Sequence, residues 1–242
     1  MNQILVTEKI YVTPELKRKK KMYKILFILS IFTIISLFSV YIYAEYDRNE
    51  KESISQDILS HLEQEDNTLI SSYDNALIVS ITQEAAASAE QASEELPKTG
   101  IVTSKYTASD GNTYDIIGRI NIPKIGVDYP IFSEFTPELL KISVCRFHGG
   151  NPNEVGNLCV VGHNYRNEKF FSKVLTLQVG DIVEIQDLSK RTVQYEIYDI
   201  HEVDPNNRDD TTQKTNGKKE VTLVTCTNDS KRRVIVRCRE KV

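Results

Sequence analysis

The spacing of hydrophobic side chains divides the chain into stretches of different character. From Ile25 to Ala44 the sequence ILFILSIFTIISLFSVYIYA runs for 20 residues without a charge. A helix of that length is about 30 Å long, which matches the hydrocarbon thickness of a bilayer. A core helix of a soluble protein rarely runs this long without a polar face. The pattern therefore predicts a transmembrane helix over residues 25–44.

The region from residue 45 to residue 105 is polar and prone to form helices. Ile54, Ile58 and Leu62 recur at every fourth position, the spacing of one helix face. Residues 83–95 (QEAAASAEQASEE) are rich in Ala, Glu and Ser and have little to bury. We expect a stalk or spacer that is partly helical and poorly packed, with an amphipathic partner-binding helix as the alternative.

From Tyr106 onward, short β-branched runs alternate with Gly, Pro, Asn and Asp, as strands alternate with turns. The clearest predicted strands are Ile116–Ile122, Leu158–Val161, Ile182–Ile185, Val193–Val203, Val221–Cys226 and Val234–Cys238. Two brief helical segments are predicted at Thr136–Ile142 and Glu168–Leu175. Seven or eight short strands with little helix are typical of a closed or nearly closed β-barrel. Residues 106–242 are therefore predicted to form one mainly β domain.

The distribution of charge orients the predicted membrane helix. The eight residues before the apolar stretch, KRKKKMYK, carry six basic side chains. Positive charge marks the cytoplasmic side, so we expect a cytoplasmic tail over 1–24 and an external region over 45–242 in a single-pass protein. Tyr41, Tyr43 and Tyr46 at the far end are typical of an interfacial aromatic belt rather than of a cleaved signal peptide. The formal net charge is −4 and the only dense basic run is the N-terminal one, which argues against nucleic-acid binding.

Two side chains at predicted strand ends could carry chemistry. Cys226 ends the run VTLVTC and His163 ends the run LCVVGH, so both would be displayed at the rim of a sheet. A thiol with an ordinary pKa of about 8.5 needs a neighbouring base or cation to react as a thiolate. Of the other histidines, His61 lies in the predicted stalk and His201 lies inside a long predicted strand. On spacing alone, a reactive Cys/His pair and two structural residues are about equally supported.

Metal sites have weaker support in the sequence. Cys145 with His148, and Cys159 with His163, have spacings compatible with zinc. Cys159 lies in an apolar strand, however, and we expect Cys145, Cys159 and Cys238 to be small core residues. A calcium site could be gathered from the acidic side chains Glu134, Glu138, Asp209 and Asp210. No EF-hand-like loop supports one, so neither a metal nor a cofactor is expected.

Three segments together resemble one known family. VTLVTCTNDSKRRVIVRC is similar to the TLxTC signature and the following arginine-bearing strand of the sortases, the membrane-anchored transpeptidases of Gram-positive cell surfaces. GNLCVVGHNY resembles the sortase strand that ends in the catalytic histidine, and IIGRINIPKIGVDYPIF resembles the opening strands. The resemblance runs from about Tyr114 to Arg239 in the order of the family. It implies a closed eight-stranded sortase-like β-barrel with short helices.

The resemblance also implies a reaction and its residues. Cys226 would attack the threonine carbonyl of an LPxTG-like sorting signal and cleave it between Thr and Gly. An amine of the cell wall or of another surface protein would then resolve the thioacyl enzyme. His163 matches the proton-transfer histidine, and Arg233 matches the arginine that begins the last strand; an always-charged guanidinium suits a developing oxyanion. Arg232 is the less favoured neighbour, and Arg237 is expected to be structural.

Two rival functions remain open at this point. A thiol hydrolase would release the acyl enzyme to water alone, and a catalytically silent β-barrel would only bind surface proteins or glycans. The assigned roles also predict a bell-shaped pH profile, because Cys226 must be deprotonated while His163 is protonated. The class within the family stays undetermined; the short turn after Cys226 departs from several members. The lack of a hydrophobic segment after Val242 argues against the pilin-polymerising class.

The segment Leu96, Pro97, Lys98, Thr99, Gly100 reads LPKTG, which is itself a sorting signal. It precedes the predicted catalytic domain, so we expect that it could contact the active site of its own chain as a pseudosubstrate. Self-cleavage between Thr99 and Gly100 is one alternative, and an ordinary Pro/Gly boundary turn is another. A wall-anchored substrate is a weak interpretation, because a folded domain follows where a hydrophobic tail would be needed.

Overall fold

The computed structural model describes residues 14–73 and 100–241, and the chain divides into two units between residues 49 and 50. The first helix, α1, runs from Pro14 to Tyr73. In the first unit its large apolar side chains, from Ile25 to Tyr43, are mostly exposed to the surroundings. Within the described residues α1 is the one helix long and apolar enough to cross a membrane. Its position agrees with the span predicted at residues 25–44.

The second unit is built on nine strands that form a single sheet. The strands are β1 (Ser104–Thr107), β2 (Thr113–Ile122), β3 (Val127–Phe132), β4 (Val144–His148), β5 (Gly156–Val161), β6 (Ile182–Asp187), β7 (Thr192–Val203), β8 (Lys219–Cys226) and β9 (Arg233–Glu240). Their order is β1-β2-β3-β4-β5-β8-β9-β7-β6. Most neighbours are antiparallel, but β3 with β4 and β5 with β8 are parallel.

The sheet closes on itself because β2 pairs with two neighbours besides β1. It contacts β3 on one side and β6 on the other, and both pairings are antiparallel. The eight strands from β2 to β9 therefore form a closed ring, which confirms the predicted eight-stranded barrel. β1 adds a ninth strand outside the ring, on the first half of β2.

Alternating side chains along β8 and β9 separate the core from the outer face. The inward positions include Val221 and Leu223 on β8 and Val234 and Val236 on β9, all buried in the main hydrophobic core. The outward positions pair across the two strands in rungs: Cys226 with Arg233, Val224 with Ile235, Thr222 with Arg237, and Glu220 with Arg239. Because side chains alternate along a strand, these eight share one face.

Part of the predicted stalk is packed against the barrel. In the second unit, Ile54, Ile58 and Leu62 of α1 are buried in a second apolar cluster. The barrel contributes side chains from β2, β3, β4 and the segment before β4 to that cluster: Tyr114, Ile116, Phe132, Leu140, Ile142 and Cys145. The fourfold spacing therefore marks a docked helix face rather than a solvated spacer over this stretch. The predicted boundaries between the four regions (1–24, 25–44, 45–105 and 106–242) stay predictions.

The two predicted short helices are wrong in extent. Of Thr136–Ile142 only Leu139–Lys141 forms a helical turn, of the 3₁₀ type. Of Glu168–Leu175 the structure forms a 3₁₀ turn at Val174–Thr176. Phe170, inside the second segment, has φ +51°, a left-handed conformation that ends any right-handed helix.

Candidate active site

Strand register brings Cys226 between the other two predicted site residues. Cys226 is the last residue of β8 and lies directly opposite Arg233, the first residue of β9. On its other side, parallel β5 pairs Val161 with Val224. The same register continues beyond β5, because the Gly162 N–H donates to the carbonyl of Val224 (3.1 Å). His163 therefore follows at the level of Cys226.

Two side-chain hydrogen bonds fix this junction. The Thr225 hydroxyl donates to the Gly162 carbonyl (2.8 Å). Thr225 directly precedes Cys226, and Gly162 directly precedes His163. The Asn164 side-chain amide donates to the Cys226 carbonyl (3.0 Å) and to Asn228 Oδ1 (3.1 Å). The ends of β5 and β8 are thus held together on both sides of the Cys226–His163 pair.

Cys226 differs from the three other cysteines in exposure. It is partly exposed, whereas Cys145, Cys159 and Cys238 are buried, as the sequence predicted for core residues. Burial raises the pKa of the Cys145 and Cys159 thiols to about 12 and also raises the pKa of Cys238. Thiolate formation is therefore strongly disfavoured at those three positions. Cys226 is the thiol that a substrate can reach.

His163 lies in a setting that favours its neutral form. Its pKa is lowered from the ordinary value, first by partial burial and second by the positive charge of Lys141. The ring stacks at a tilt on Tyr165, with 4.8 Å between ring centroids. A lowered pKa makes the protonated imidazole a better acid toward a leaving amine.

Gly162 is required by the packing directly before His163. A Cβ at this position would lie 2.6 Å from the ring of Phe171 and 3.1 Å from Val144. Phe171 is fully buried, so its ring cannot move aside cheaply. The Phe171 N–H also donates to the His163 carbonyl (3.0 Å). Glycine lets the loop carrying Phe171 close over the strand end and hold His163 in place.

Arg233 keeps its guanidinium available. It donates a hydrogen bond to the neighbouring Arg232 carbonyl (3.2 Å). In the part of the chain that the structure describes, it makes no ion pair with a carboxylate. Arg232 instead contacts Glu202, through the carbonyl (2.8 Å) and the carboxylate (3.5 Å). Arg237 contacts the buried Glu220 (3.3 Å). Of the three candidate arginines, Arg233 has the guanidinium that could bind a substrate. We call Cys226, His163 and Arg233 the rim cluster.

A mostly apolar groove leads to the rim cluster. It holds about 190 Å³ of accessible space and is lined by Phe135, Phe147, Val161, Val203, Pro205, Asn207, Arg208, Asp210, Thr211, Val224, Arg233 and Ile235. Val161, Val224 and Ile235 form its floor, one rung from the rim cluster. Phe135 packs edge-to-face on Phe147, and the Arg208 guanidinium lies 4.6 Å from the Phe147 ring centroid. The groove suits an extended peptide with apolar side chains.

The other histidines lie away from the rim cluster. His201 Nδ1 is 2.9 Å from Asp199 Oδ2 and its Nε2 is 3.1 Å from Asp210 Oδ2. His201 belongs to a charged group of six residues, which we call the flank cluster. Its members are Asp199, His201, Asp210, Glu220, Arg237 and Arg239. His61 stacks on Tyr106 with 4.4 Å between centroids. The structural role predicted for His201 agrees with its contacts.

The metal-site predictions gain no support from the geometry. Cys145 and Cys159 are buried thiols with raised pKa values. Among the residues that the structure describes, no group of three or more His, Cys, Asp or Glu side chains could hold a metal ion. Asp210, one of the four acidic candidates for calcium, instead contacts His201 and lies 3.9 Å from Arg237. A calcium requirement stays untested.

The LPKTG segment falls largely outside the described residues, which begin again at Gly100. The two residues after it are fastened to the barrel. Ile101 packs against the main core, and the Val102 N–H donates to Asn151 Oδ1 (2.8 Å). Asn151 lies in the loop before β5, at the opposite end of that strand from His163.

The reach of the chain limits an intramolecular contact of LPKTG with the rim cluster. The path from Gly156 to His163 is about 23 Å long at 3.3 Å per residue. The three residue-to-residue steps from Thr99 to Val102 span about 10 Å when fully extended. We therefore expect that Thr99 does not dock at Cys226 of the same chain while Val102 is bound to Asn151, and the predicted contact of LPKTG with the active site stays a prediction.

Comparison with known proteins identifies the family. The model of the sortase domain matches residues 120–241, half of the chain, and this stretch contains the whole rim cluster. The chain belongs to the sortase family, whose members are cysteine transpeptidases. The resemblance noted in the sequence is thereby confirmed, and with it the sortase-like barrel.

Individual relatives match over about half of the chain. Sortase A of Bacillus anthracis is 27% identical over 124 residues, 50% of this chain and 58% of that protein. The chain thus spans less than two thirds of the length of that relative. A sortase D5 transpeptidase of Clostridium perfringens is 36% identical, with a TM-score of 0.49, over 53% of this chain and 80% of that one. Sortase C-1 of Actinomyces oris is 27% identical, with a TM-score of 0.49, over 52% and 72%.

Two residues near the site were not found from the sequence. Lys141 contributes to the lowered pKa of His163, although the two residues are 22 positions apart in the chain. No local sequence pattern distinguishes Lys141 from other surface lysines. Glu52 lies in the docked part of α1 and reaches the loop after His163, as described below. Only the folding of the barrel brings either residue to the site.

Proposed function

We propose that this protein is a membrane-anchored cysteine transpeptidase that cleaves an LPxTG-like sorting signal between Thr and Gly. One observation carries the proposal: the accessible thiol of Cys226 lies between His163 and Arg233, an arginine that lines a mostly apolar groove and pairs with no carboxylate among the described residues. Membership of the sortase family supports the same reaction class. The apolar Leu and Pro of a sorting signal would bind in the groove, with the Thr carbonyl at Cys226.

The first half-reaction forms a thioester. After transfer of the thiol proton to His163, the Cys226 thiolate bonds to the Thr carbonyl carbon, and the carbonyl oxygen becomes an oxyanion. Arg233 donates N–H groups to that oxyanion, where fixed donors are worth a few kcal/mol. The Thr–Gly C–N bond then breaks, and the imidazolium of His163 protonates the leaving glycine amine.

The second half-reaction transfers the acyl group. An acceptor amine attacks the thioester carbon, passes a proton to His163, and displaces the Cys226 thiolate. A new amide bond joins the surface protein to the acceptor, and the imidazolium of His163 returns its proton to Cys226, which restores the starting thiol and neutral histidine. Water in place of the amine would give hydrolysis. The acceptor is proposed to be an amine of the cell wall or of another surface protein.

The sequence supports an external location for the catalytic unit. The basic run before Ile25 favours a cytoplasmic N-terminus, and α1 is long enough to cross the membrane once. A surface-protein substrate and a cell-wall acceptor would both be met on the outer side. Cysteine accessibility to a membrane-impermeant thiol reagent, measured on intact cells at Cys226, tests this orientation.

The reaction is tested with the full chain in detergent micelles and a peptide containing Leu-Pro-Lys-Thr-Gly. We expect the wild-type protein to give an acyl adduct on Cys226 by mass spectrometry, and the Cys226→Ala variant to give neither adduct nor cleavage. Melting curves of both forms confirm that the variant is folded. Unchanged cleavage by the Cys226→Ala variant would refute the proposal.

Triglycine in the same assay separates transfer from hydrolysis. A transpeptidase gives a ligated product in which triglycine follows Thr, and the yield rises with the concentration of triglycine. If cleavage occurs but only the free Thr carboxylate appears at any concentration of triglycine or other amines, the protein is a thiol hydrolase.

A further inference from the structure

The docked part of α1 carries acidic side chains that contact the barrel at different places. Glu52 Oε1 lies 3.0 Å from the Tyr129 hydroxyl, and Glu52 Oε2 pairs with the Lys169 ammonium. Asp57 accepts the Ser109 N–H (2.9 Å), and Glu63 pairs with Arg119 (3.0 Å). Of these three carboxylates, Glu52 is the one whose partners lead to the rim cluster.

Glu52 is linked to two successive residues of the loop after His163. Lys169 is contacted directly, and its side chain is only 17% exposed, so the ion pair is partly shielded from water. Phe170 is reached through Tyr129, whose hydroxyl donates to Glu52 and accepts the Phe170 N–H (3.2 Å). Tyr129 is buried and its ring stacks on Phe170, with 5.0 Å between centroids.

Lys169 and Phe170 lie directly before Phe171 in the loop, and Phe170 and Phe171 make the contacts that hold His163. Phe170 pairs with Asn164 in an isolated β-bridge, and the next N–H, of Phe171, donates to the His163 carbonyl. The Tyr165 ring lies 5.6 Å from the Phe170 ring and 4.8 Å from the His163 ring. A shift of Phe170 would therefore reach both the backbone and the imidazole of His163.

Phe170 also adopts a conformation that needs support. Its φ of +51° lies in the left-handed region, which a bulky side chain adopts only when its surroundings enforce it. The Tyr129 hydroxyl and the ring stacking supply that support from one side. Since Glu52 holds the Tyr129 hydroxyl in turn, α1 contributes to the enforced loop conformation.

We propose that Glu52 is a positioning residue for His163: through Lys169 and Tyr129 it fixes the loop 164–171 that holds the imidazole beside Cys226. The membrane-proximal helix is then part of the catalytic apparatus rather than a passive tether. Docking itself depends on the apolar face of Ile54, Ile58 and Leu62, so loss of the Glu52 carboxylate should leave α1 in place. The kinetic part of this inference rests on the proposed function.

The test compares Glu52→Ala with Asp57→Ala in the full chain. Both remove one carboxylate from the same docked helix, but only Glu52 is linked to the loop of His163. We expect Glu52→Ala to lower kcat about 10-fold, with KM changed by less than about twofold, because a small displacement of a catalytic group impairs chemistry more than binding. Asp57→Ala should leave both constants within about twofold.

A spectroscopic measurement makes the test independent of turnover. With ¹³Cε1-labelled histidine, the His163 signal, assigned by its loss in His163→Gln, should shift or broaden in Glu52→Ala and stay unchanged in Asp57→Ala. A charge-swapped double variant, Glu52→Lys with Lys169→Glu, should recover part of the lost kcat. Glu52→Gln, which can still accept from Tyr129, should fall between wild type and Glu52→Ala.

The outcomes separate the two proposals. If Glu52→Ala and Asp57→Ala lower the melting temperature equally and neither changes kcat or the His163 signal, Glu52 only docks the helix and the inference is wrong. If the wild-type protein cleaves no sorting-signal peptide, the proposed function fails. The His163 signal then still decides whether Glu52 positions the ring.

Discussion

The rim cluster and the flank cluster each contain a histidine and at least one arginine on the outer face of the barrel, but they use these residues in opposite ways. In the flank cluster, His201 lies between Asp199 and Asp210, and the buried Glu220 accepts from two arginines. In the rim cluster, burial and a cation lower the pKa of His163, and Arg233 contacts no carboxylate within the described residues. The two clusters lie only four residues apart along β9.

The difference shows what distinguishes a reactive group from a structural one. The charges of the flank cluster are neutralised inside the protein, which stabilises the sheet and leaves little to offer a ligand. The groups of the rim cluster are held in place through their backbone and neighbouring residues, and within the described residues none of their side chains pairs with a carboxylate. Rigid placement without internal neutralisation is the state in which a side chain can act on a substrate.

Among the variants that test this comparison, the largest expected effect comes from changing the rim arginine. Arg233→Lys keeps a positive charge but loses the planar fork of donors, so we expect kcat/KM to fall about 100-fold. Arg232→Lys, at the residue directly before β9, should change it by less than about twofold, because that side chain is exposed. Peptide cleavage by the two variants measures the contrast. Equal losses would show that both arginines serve the fold.

The flank cluster should respond in stability instead of activity. Glu220→Gln leaves Arg237 and Arg239 without their shared carboxylate, and we expect a loss of about 2–3 kcal/mol in the free energy of unfolding. That corresponds to a drop of about 5–10 °C in melting temperature. Cleavage at 25 °C should stay within about twofold of wild type. Glu240→Gln, which affects a more exposed pair with Lys219, should cost less than about 1 kcal/mol.

A smaller effect is expected at Lys141, whose positive charge contributes to the lowered pKa of His163. Lys141→Gln removes a positive charge that disfavours the imidazolium, so the pKa of His163 should rise toward its ordinary value. The limb of the bell-shaped pH profile that is set by the pKa of His163 should therefore also move to higher pH. Histidine titration by NMR in the Cys226→Ala background measures the pKa directly. Lys173→Gln is the matched control. A rise of equal size in the pKa of His163 in that variant would argue against a local effect of Lys141.

The smallest effect is expected at the sorting-signal sequence of the chain itself. Since Val102 is fastened at the far end of β5, Thr99 should not reach Cys226 of the same chain. We expect Thr99→Ala in the full chain to change KM for an added peptide by less than about twofold. A lower KM in this variant, or a cleavage product starting at Gly100 whose rate does not depend on protein concentration, would show that the segment does occupy the site.

The strands around the site could be predicted because their sequences carry a strong signal. β5, β8 and β9 have β-branched residues in continuous or alternating runs, and the VTLVTC and VVGH segments place Cys226 and His163 at their ends. β3 was not among the clearest runs, because Pro130 interrupts it. β4 is only five residues long and β1 is polar. β3 and β4 form because the barrel supplies neighbours on both sides, and β1 forms by pairing with β2 alone.

The contribution of α1 could not be predicted from the sequence. Its apolar positions were visible as a fourfold repeat, but the surface that covers them is assembled from Tyr114, Phe132 and Leu140, which are far apart in the chain. Glu52 is likewise one of many acidic residues in a polar region until Tyr129 and Lys169 are brought to it. The hydrophobic pattern of one sequence identifies the buried face of a helix, but it does not identify the residues that pack against that face.

The docking of α1 has a practical consequence for anyone who prepares the catalytic unit alone. A shortened protein that starts near residue 100 would leave Ile116, Phe132 and their neighbours in water, where a contiguous apolar patch promotes aggregation. It would also lack Glu52, so a soluble fraction could be well folded yet slow. A start at or before Glu50, where the second unit begins, keeps both the covering helix and the carboxylate.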